Sequence, residues 1–228
     1  MIVSLLGQKG GIGKSTTAVC LAMAALQRGA AVLVVDADPQ GTIRTWNDVA
    51  NERGASVPTV VAMGPSMHRP GQLDVLARRY DLTLIDCPPR QGDIQRSALM
   101  IADCALLPCG PSAVDVGALA PTLEFVAEAR TLREQLQAAI VITRKQGRTT
   151  LGKAARAVLE ASGVTVLGSE LSYRISYQEA LAAGSGVTQH CPRDRAAREV
   201  AALLTELKEF VHVEEASGCY PTQTASVG

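Results

Sequence analysis

The sequence predicts an α/β fold, a mostly parallel, twisted sheet with helices on both faces. Three observations point there. Short apolar runs alternate with helix-length segments along the whole chain, the spacing that builds strand–helix–strand units. Several of those runs, among them Ile2–Leu6, Ala31–Asp36 and Leu82–Asp86, are nearly continuous in apolar residues, as strands buried on both faces are. The first run leads through a glycine-rich turn straight into a helical pattern, the setting of a phosphate-binding loop.

The elements follow in order. Ile2–Leu6 is a strand. Thr17–Arg28 carries Val19, Leu21, Ala22, Ala25 and Leu26 at helical spacing and stops at Gly29. Ala31–Asp36 is the second strand, Thr42–Arg53 a helix and Val57–Ala62 a short strand. Met63–Pro70, with two prolines and a glycine, is a loop. Gln72–Tyr80 is helical, Leu82–Asp86 is a strand and Asp93–Ala102 a helix. Cys104–Leu107 is a strand broken by Pro108-Cys109-Gly110-Pro111. Asp115–Leu136 is one long helix bent near Pro121. Ala139–Thr143 is a strand, Thr149–Ser162 a helix, Val164–Leu167 a strand, Ser176–Ala183 a short helix and Arg193–Val213 a final amphipathic one. A single domain over 1–213 is expected, with a disordered tail over 214–228 rich in Ser, Gly, Pro and Thr.

Composition excludes several classes. The chain has 228 residues, 47% hydrophobic and 19% charged, the balance of a globular domain with a full core. Net charge is zero, so nothing global points to nucleic acid and any such contact needs a local patch. There is no 18-residue apolar run for a membrane span. The first residues enter a core strand at once, which leaves no room for a signal peptide. The six cysteines show no C-x-x-C spacing, so they read as free thiols of a reducing cytoplasm, without structural zinc.

The chemistry centres on Gly7-Gln8-Lys9-Gly10-Gly11-Ile12-Gly13-Lys14-Ser15-Thr16. Glycines let the backbone curl so that successive N–H groups, from Gly10 to Thr16, cradle phosphate oxygens. The helix that follows adds the partial positive charge of its N-terminus. Lys14 reaches the β- and γ-phosphates and the Ser15 hydroxyl ligates Mg²⁺. The fold class narrows to the P-loop NTPase type, with ATP and Mg²⁺ as cofactors. The general pattern G-x-x-x-x-G-K-[ST] is not met in full, because Gln8 stands at its first glycine and a second lysine, Lys9, fills the loop. A dinucleotide fingerprint fails, since Gly11 and Gly13 are followed by Thr16 where a third glycine is required. Asp86, ending an apolar strand, fits an acid that touches Mg²⁺ through water. Asp36 and Asp38 lie at the end of another strand, on the edge where open parallel sheets bind ligands.

The run Lys9-Gly10-Gly11-x-Gly13-Lys14-Ser15 resembles the deviant Walker A loop of the ParA/MinD family of ATPases. Most of the chain shares the resemblance, nearest to small ParF-like partition ATPases. It implies that Lys9 crosses an ATP-dependent sandwich homodimer to the partner's phosphates. Asp36-Ala37-Asp38-Pro39-Gln40 resembles the family's switch I, which makes Asp38 the acid that orients the hydrolytic water and places Asp36 near the magnesium. Asp86-Cys87-Pro88-Pro89 resembles switch II. Pro108–Asp115, with Pro108 and Pro111, resembles the segment that lines the adenine ring and joins the dimer interface, and Thr143-Arg144 resembles another base-side loop. Tyr173–Ala180 is also similar to ParA-type sequence.

The resemblance implies a partition ATPase of the cytoplasm and nucleoid. ATP closes a dimer that holds non-specific DNA, and hydrolysis, stimulated by a ParB-like or other small adaptor partner, releases it. The cargo is a plasmid or chromosome, or alternatively a protein organelle such as a carboxysome. Arg144, Lys145, Arg148, Lys153, Arg174 and Arg195 are the expected DNA-facing cations. Thr143–Phe210 carries ten Lys/Arg against seven acids, a modest patch that a dimer doubles. No N-terminal extension supplies a helix-turn-helix, and the last helix lacks the basic, aromatic-flanked face of a membrane anchor. Two other classes compete. A metabolic P-loop enzyme needs an extra substrate motif, and an iron–sulfur carrier of the nitrogenase-iron-protein type needs cysteines placed to bridge two subunits.

Overall fold

The computed structural model describes residues 1–90, 92–146 and 150–217. Seven strands form one sheet: β1 (Ile2–Leu5), β2 (Val32–Asp36), β3 (Thr59–Ala62), β4 (Leu82–Asp86), β5 (Cys104–Cys109), β6 (Gln137–Lys145) and β7 (Thr165–Ser172). Their order is β3-β2-β4-β1-β5-β6-β7 and every pairing is parallel. The connecting helices are α1 (Lys14–Gln27), α2 (Thr42–Glu52), α3 (Leu73–Ala77), α4 (Gly92–Leu99), α5 (Ala113–Gly117), α6 (Ala120–Leu132), α7 (Thr150–Glu160), α8 (Ile175–Ala182), α9 (Val187–His190) and α10 (Arg195–Ser217).

Burial on both faces explains the continuous apolar runs. Successive side chains of a strand point to opposite faces, and here each face meets a helical layer. Val3, Leu5, Val32, Val34 and Leu84 pack toward α1 and α10, with Leu203, Leu204 and Leu207. Leu33, Val35, Ile85, Ala105 and Leu107 pack toward the other layer, with Leu99 of α4 and Val126 of α6. β1 lies between β4 and β5, and the register sets Leu5 opposite Asp86 and Asp86 opposite Asp36. The phosphate loop and both strand-end acids therefore emerge side by side at the carboxyl edge, where the connections that leave the neighbouring strands β1 and β4 part to opposite sides.

Four boundaries differ from expectation for identifiable reasons. Pro108 lies inside β5, paired opposite Val141. The carbonyl of Leu106 accepts from Leu6 N–H on the β1 side, so Pro108, two residues on, turns its nitrogen to that same side, beyond the end of β1, and no ladder bond is lost. The long helix is two helices, because Gly117 ends α5 and Pro121 stands in the first turn of α6, where a missing N–H costs nothing. β7 runs past Gly168 because Glu206 of α10 accepts from the edge amides of Gly168 and Ser169. The final helix reaches Ser217, past the expected boundary at Val213, and residues 218–228 of the expected tail lie outside the described residues.

Candidate active site

The loop between β1 and α1 turns into its helix through Gly13, whose φ of 97° is open to glycine without strain. The N–H groups of Lys14, Ser15 and Thr16 that follow lack intrahelical acceptors, and no side chain caps them. They form a ready anion cradle. Lys14 is buried and directs its ammonium to the Lys9 carbonyl at 3.4 Å. Burial lowers its pKa, and the negative charge of Asp86 and Asp38 works against that shift.

Asp86 stands directly behind the cradle. Ser15 Oγ donates to Asp86 Oδ2 at 2.5 Å. The other oxygen, Oδ1, is enclosed and has no hydrogen-bond partner among the described residues. Burial pushes the carboxyl up to about 7, against the Ser15 hydrogen bond and the Lys14 charge, with Asp36 and Asp38 adding to the rise. An unpartnered buried carboxylate oxygen beside a serine hydroxyl fits a hydrated Mg²⁺ carried in on nucleotide phosphates. Among the described residues no group of three or more His, Cys, Asp or Glu is placed to hold a metal unaided, so the phosphates are the missing ligands.

Asp36 is committed to its own loop. Oδ1 accepts from Asp38 N–H at 3.2 Å, and Oδ2 accepts from the Arg44 N–H at 3.0 Å and from its guanidinium at 3.4 Å. With both oxygens taken, it organises the turn between β2 and α2, beside the Ser15–Asp86 pair. Asp38 is half-buried, accepts from Gln40 N–H at 2.9 Å, and lies close enough for its charge to act on both Lys14 and Asp86. A connection that the sequence did not reveal runs behind the loop. Gln8 donates to Gln95 at 3.0 Å, and Gln95, fully buried on α4, donates to the Pro88 carbonyl at 2.7 Å. The phosphate loop and the proline loop after β4 are thereby tied together.

Lys9 points away from its own cradle. Its ammonium lies 2.5 Å from Asp115 Oδ1 on α5. Asp115 also closes a capping box with Ser112. Burial acts to raise the Asp115 carboxyl, but the hydrogen bonds from Lys9 and Ser112 outweigh it and hold the group below its ordinary value.

A cavity of about 360 Å³ opens beside Gly11 and Gly13. Thr143 and Arg144 form one wall. The Thr143 hydroxyl donates to the Ile12 carbonyl at 2.8 Å and the Arg144 guanidinium to the Gly11 carbonyl at 3.0 Å, so the end of β6 braces the phosphate loop as well as flanking the cavity. The opposite wall is Leu171, Ser172, Tyr173, Arg174, Tyr177 and Gln178, from the β7–α8 junction. Pro108 and Pro111 are not among the residues that line it. Pro108 is inside β5 and the segment after it leads to the Asp115–Lys9 pair. Part of this wall falls in Tyr173–Ala180, a stretch that the sequence also singled out.

The expected DNA-facing cations are not a free stripe. Glu170 pairs with Lys145 and, at 3.0 Å, with Arg156, and Glu199 pairs with Arg174 at 3.3 Å and Arg195 at 3.9 Å. Of the expected set, Arg144 and Arg195 remain exposed. Arg148 and the side chain of Lys153 lie outside the described residues. No helix among the described residues is long and apolar enough to cross a membrane.

Comparisons with known proteins identify the family. Residues 3–187 match the CobQ/CobB/MinD/ParA nucleotide binding domain. The maintenance of carboxysome distribution protein A of Halothiobacillus neapolitanus is 34% identical over 202 residues, covering 87% of this chain and 92% of its own. The chromosome-partitioning ATPase Soj of Thermus thermophilus is 29% identical, covering 94% and 97%. Among solved structures, the septum site-determining protein MinD of Pyrococcus horikoshii, complexed with Mg-ADP, superposes with a TM-score of 0.70 at 20% identity, over 93% of this chain and 98% of its own. The chain belongs to the CobQ/CobB/MinD/ParA nucleotide-binding family, within which it is an ATPase of the ParA/MinD type.

Proposed function

We propose that this chain is an ATP-driven positioning switch, a homodimer when ATP is bound, that holds non-specific DNA until hydrolysis releases it. The observation that carries the reading is the placement of Lys9. Its ammonium is drawn out of its own phosphate cradle to Asp115, where it supplements nothing that Lys14 already does. A second lysine in that position has a use when another subunit brings its phosphates to the same face. ATP then fills the cradle, with its base in the cavity between Thr143 and Tyr177, and Mg²⁺ is held by the phosphates, Ser15 and, through water, Asp86. Asp38 orients the attacking water. A ParB-like or other small adaptor completes the site and sets the rate.

The DNA contacts of this reading fall to Arg144 and to the exposed arginines that open α10, Arg193, Arg195 and Arg198, doubled across the dimer. Binding to random-sequence duplex is tested with ATP, ADP and no nucleotide, each across a salt series. Binding with ATP alone, falling steeply with salt, supports the switch; equal binding in all three states contradicts it. A cluster-bridging role fits less well, since Cys87, Cys104 and Cys109 are buried.

The cargo has a second reading, a protein compartment, because identity to the carboxysome-distribution relative, 34%, exceeds that to the Soj relative, 29%. Tracking a fluorescent fusion against a labelled replication origin and a labelled compartment shell separates the two.

A further inference from the structure

Glu199 lies on α10, beyond the residues 3–187 that the family domain covers, and touches neither the phosphate loop nor any acid of the magnesium site through a recorded bond. Its carboxylate is nonetheless the most heavily used acceptor near the cavity. Oε2 accepts from Ser172 N–H at 2.9 Å and from Tyr177 Oη at 3.3 Å; Oε1 accepts from Ser172 Oγ at 2.8 Å and from Arg174 Nη2 at 3.3 Å. All three partners line the cavity beside Gly11 and Gly13. The side chain is only 13% exposed, so these bonds form in surroundings where water competes weakly.

The two walls of the cavity are thus held by different means. The β6 wall is fixed to the phosphate loop itself, through Thr143 and Arg144. Among the described residues the β7–α8 wall makes no hydrogen bond to that loop; Ser172, Arg174 and Tyr177 meet instead on one side chain of α10. Arg174 adds a detail, for its Nε is enclosed and unpartnered among the described residues, which leaves one donor of a cavity-lining side chain uncommitted.

We infer that Glu199 is a positioning residue for the nucleotide base: it fixes Ser172, Arg174 and Tyr177 as the outer wall of the base cavity and so sets how much of the affinity for ATP comes from the base rather than the triphosphate. The inference rests on the reading of this cavity as the base site. It also gives α10 a route to the nucleotide, because Arg195 and Glu199 are paired one turn apart on the helix.

The test compares ATP, GTP and inorganic tripolyphosphate, each with Mg²⁺, on the full chain and its Glu199→Gln variant. Glutamine keeps the size of the side chain but turns an amide toward groups that donate. The expected result is ATP binding weakened about tenfold or more, the factor that loss of a charge-assisted buried bond gives, a narrowed preference for ATP over GTP, and unchanged tripolyphosphate affinity. A merely structural role would lower all three in parallel. Parallel loss, or no change in the ATP-to-tripolyphosphate ratio, overturns the assignment. Wild-type protein that binds ATP no better than tripolyphosphate overturns the base-cavity reading beneath it. If Glu199→Gln does not fold, Ser172→Ala removes the Oγ bond, one of the four, leaves the carboxylate and the Ser172 N–H bond in place, and is held to the same ratio.

Discussion

Lys9 Nζ and Asp115 Oδ1 stand 2.5 Å apart although the two residues come from the phosphate loop and from the first turn of α5. The ion pair keeps the extra lysine off its own cradle and ties the loop to the segment that follows β5. In the proposed dimer, a phosphate brought by the second subunit would compete with Asp115 for the same ammonium. Lys9→Ala is therefore expected to keep ATP affinity within a few-fold, since Lys14 and the backbone cradle remain, while ATP-dependent dimerisation and hydrolysis are lost. Equilibrium binding of a fluorescent ATP analogue and light scattering check the two halves separately.

Gly110 offers an independent way to break that pair. A Cβ there would lie 2.3 Å from Asp115 Oδ2 and 2.7 Å from its Cγ, so the carboxylate has to move. Gly110→Ala is predicted to raise the fraction of ATP-bound dimer at a fixed protein concentration, with Lys9 and Lys14 untouched. Asp115→Ala should do the same, at a stability cost below the roughly 1 kcal/mol of a lost N-cap, because Ser112 still accepts from the backbone N–H of residue 115, read from denaturant titration.

Asp86 makes the site pH-dependent. Its folded pKa, about 7, exceeds its ordinary value of 3.8, chiefly through burial. The stability that protonation gives the nucleotide-free protein is thus complete below about pH 4 and is lost as pH rises through 7. Mg²⁺ opposes the proton at the same carboxyl. Mg²⁺-dependent ATP binding is expected to strengthen from pH 6 to 8, and Asp86→Asn to bind weakly with no such rise. Calorimetry in two buffers of different ionisation heat detects the released proton.

Lys14→Ala removes the buried ammonium at the phosphate loop and is predicted to abolish nucleotide binding at millimolar ATP. Thr143→Val leaves the Ile12 carbonyl without its buried donor, at a cost of about 1–3 kcal/mol in stability, measured by urea unfolding.

Much of this was legible because local chemistry and tertiary use coincide. The run Lys9–Thr16 needs only a strand before it and a helix after it, and both are written in apolar periodicity. Asp86 is readable as a strand-end acid for the same reason. The outer wall of the cavity was not readable: Ser172, Arg174, Tyr177 and Glu199 meet through the packing of α10 on β7, a contact between segments whose patterns are each satisfied locally. Pro108 misled because a proline normally ends a ladder, and whether its nitrogen faces a neighbour depends on where β1 stops. Nor was it readable that Lys145 and Arg174 are paired, because Glu170 and Glu199 become their partners only in the fold.

The most direct test is the solution mass of Asp38→Ala with Mg²⁺-ATP, Mg²⁺-ADP and no nucleotide. With Asp38 in its proposed role of orienting the attacking water, the variant is expected to bind ATP and hydrolyse it at least a hundredfold more slowly, a loss of roughly 3 kcal/mol of transition-state stabilisation. The account predicts a dimer of twice the 23.9 kDa chain with ATP alone, undone by adding Lys9→Ala. A variant that binds ATP and stays monomeric, or that hydrolyses at the wild-type rate, would contradict it.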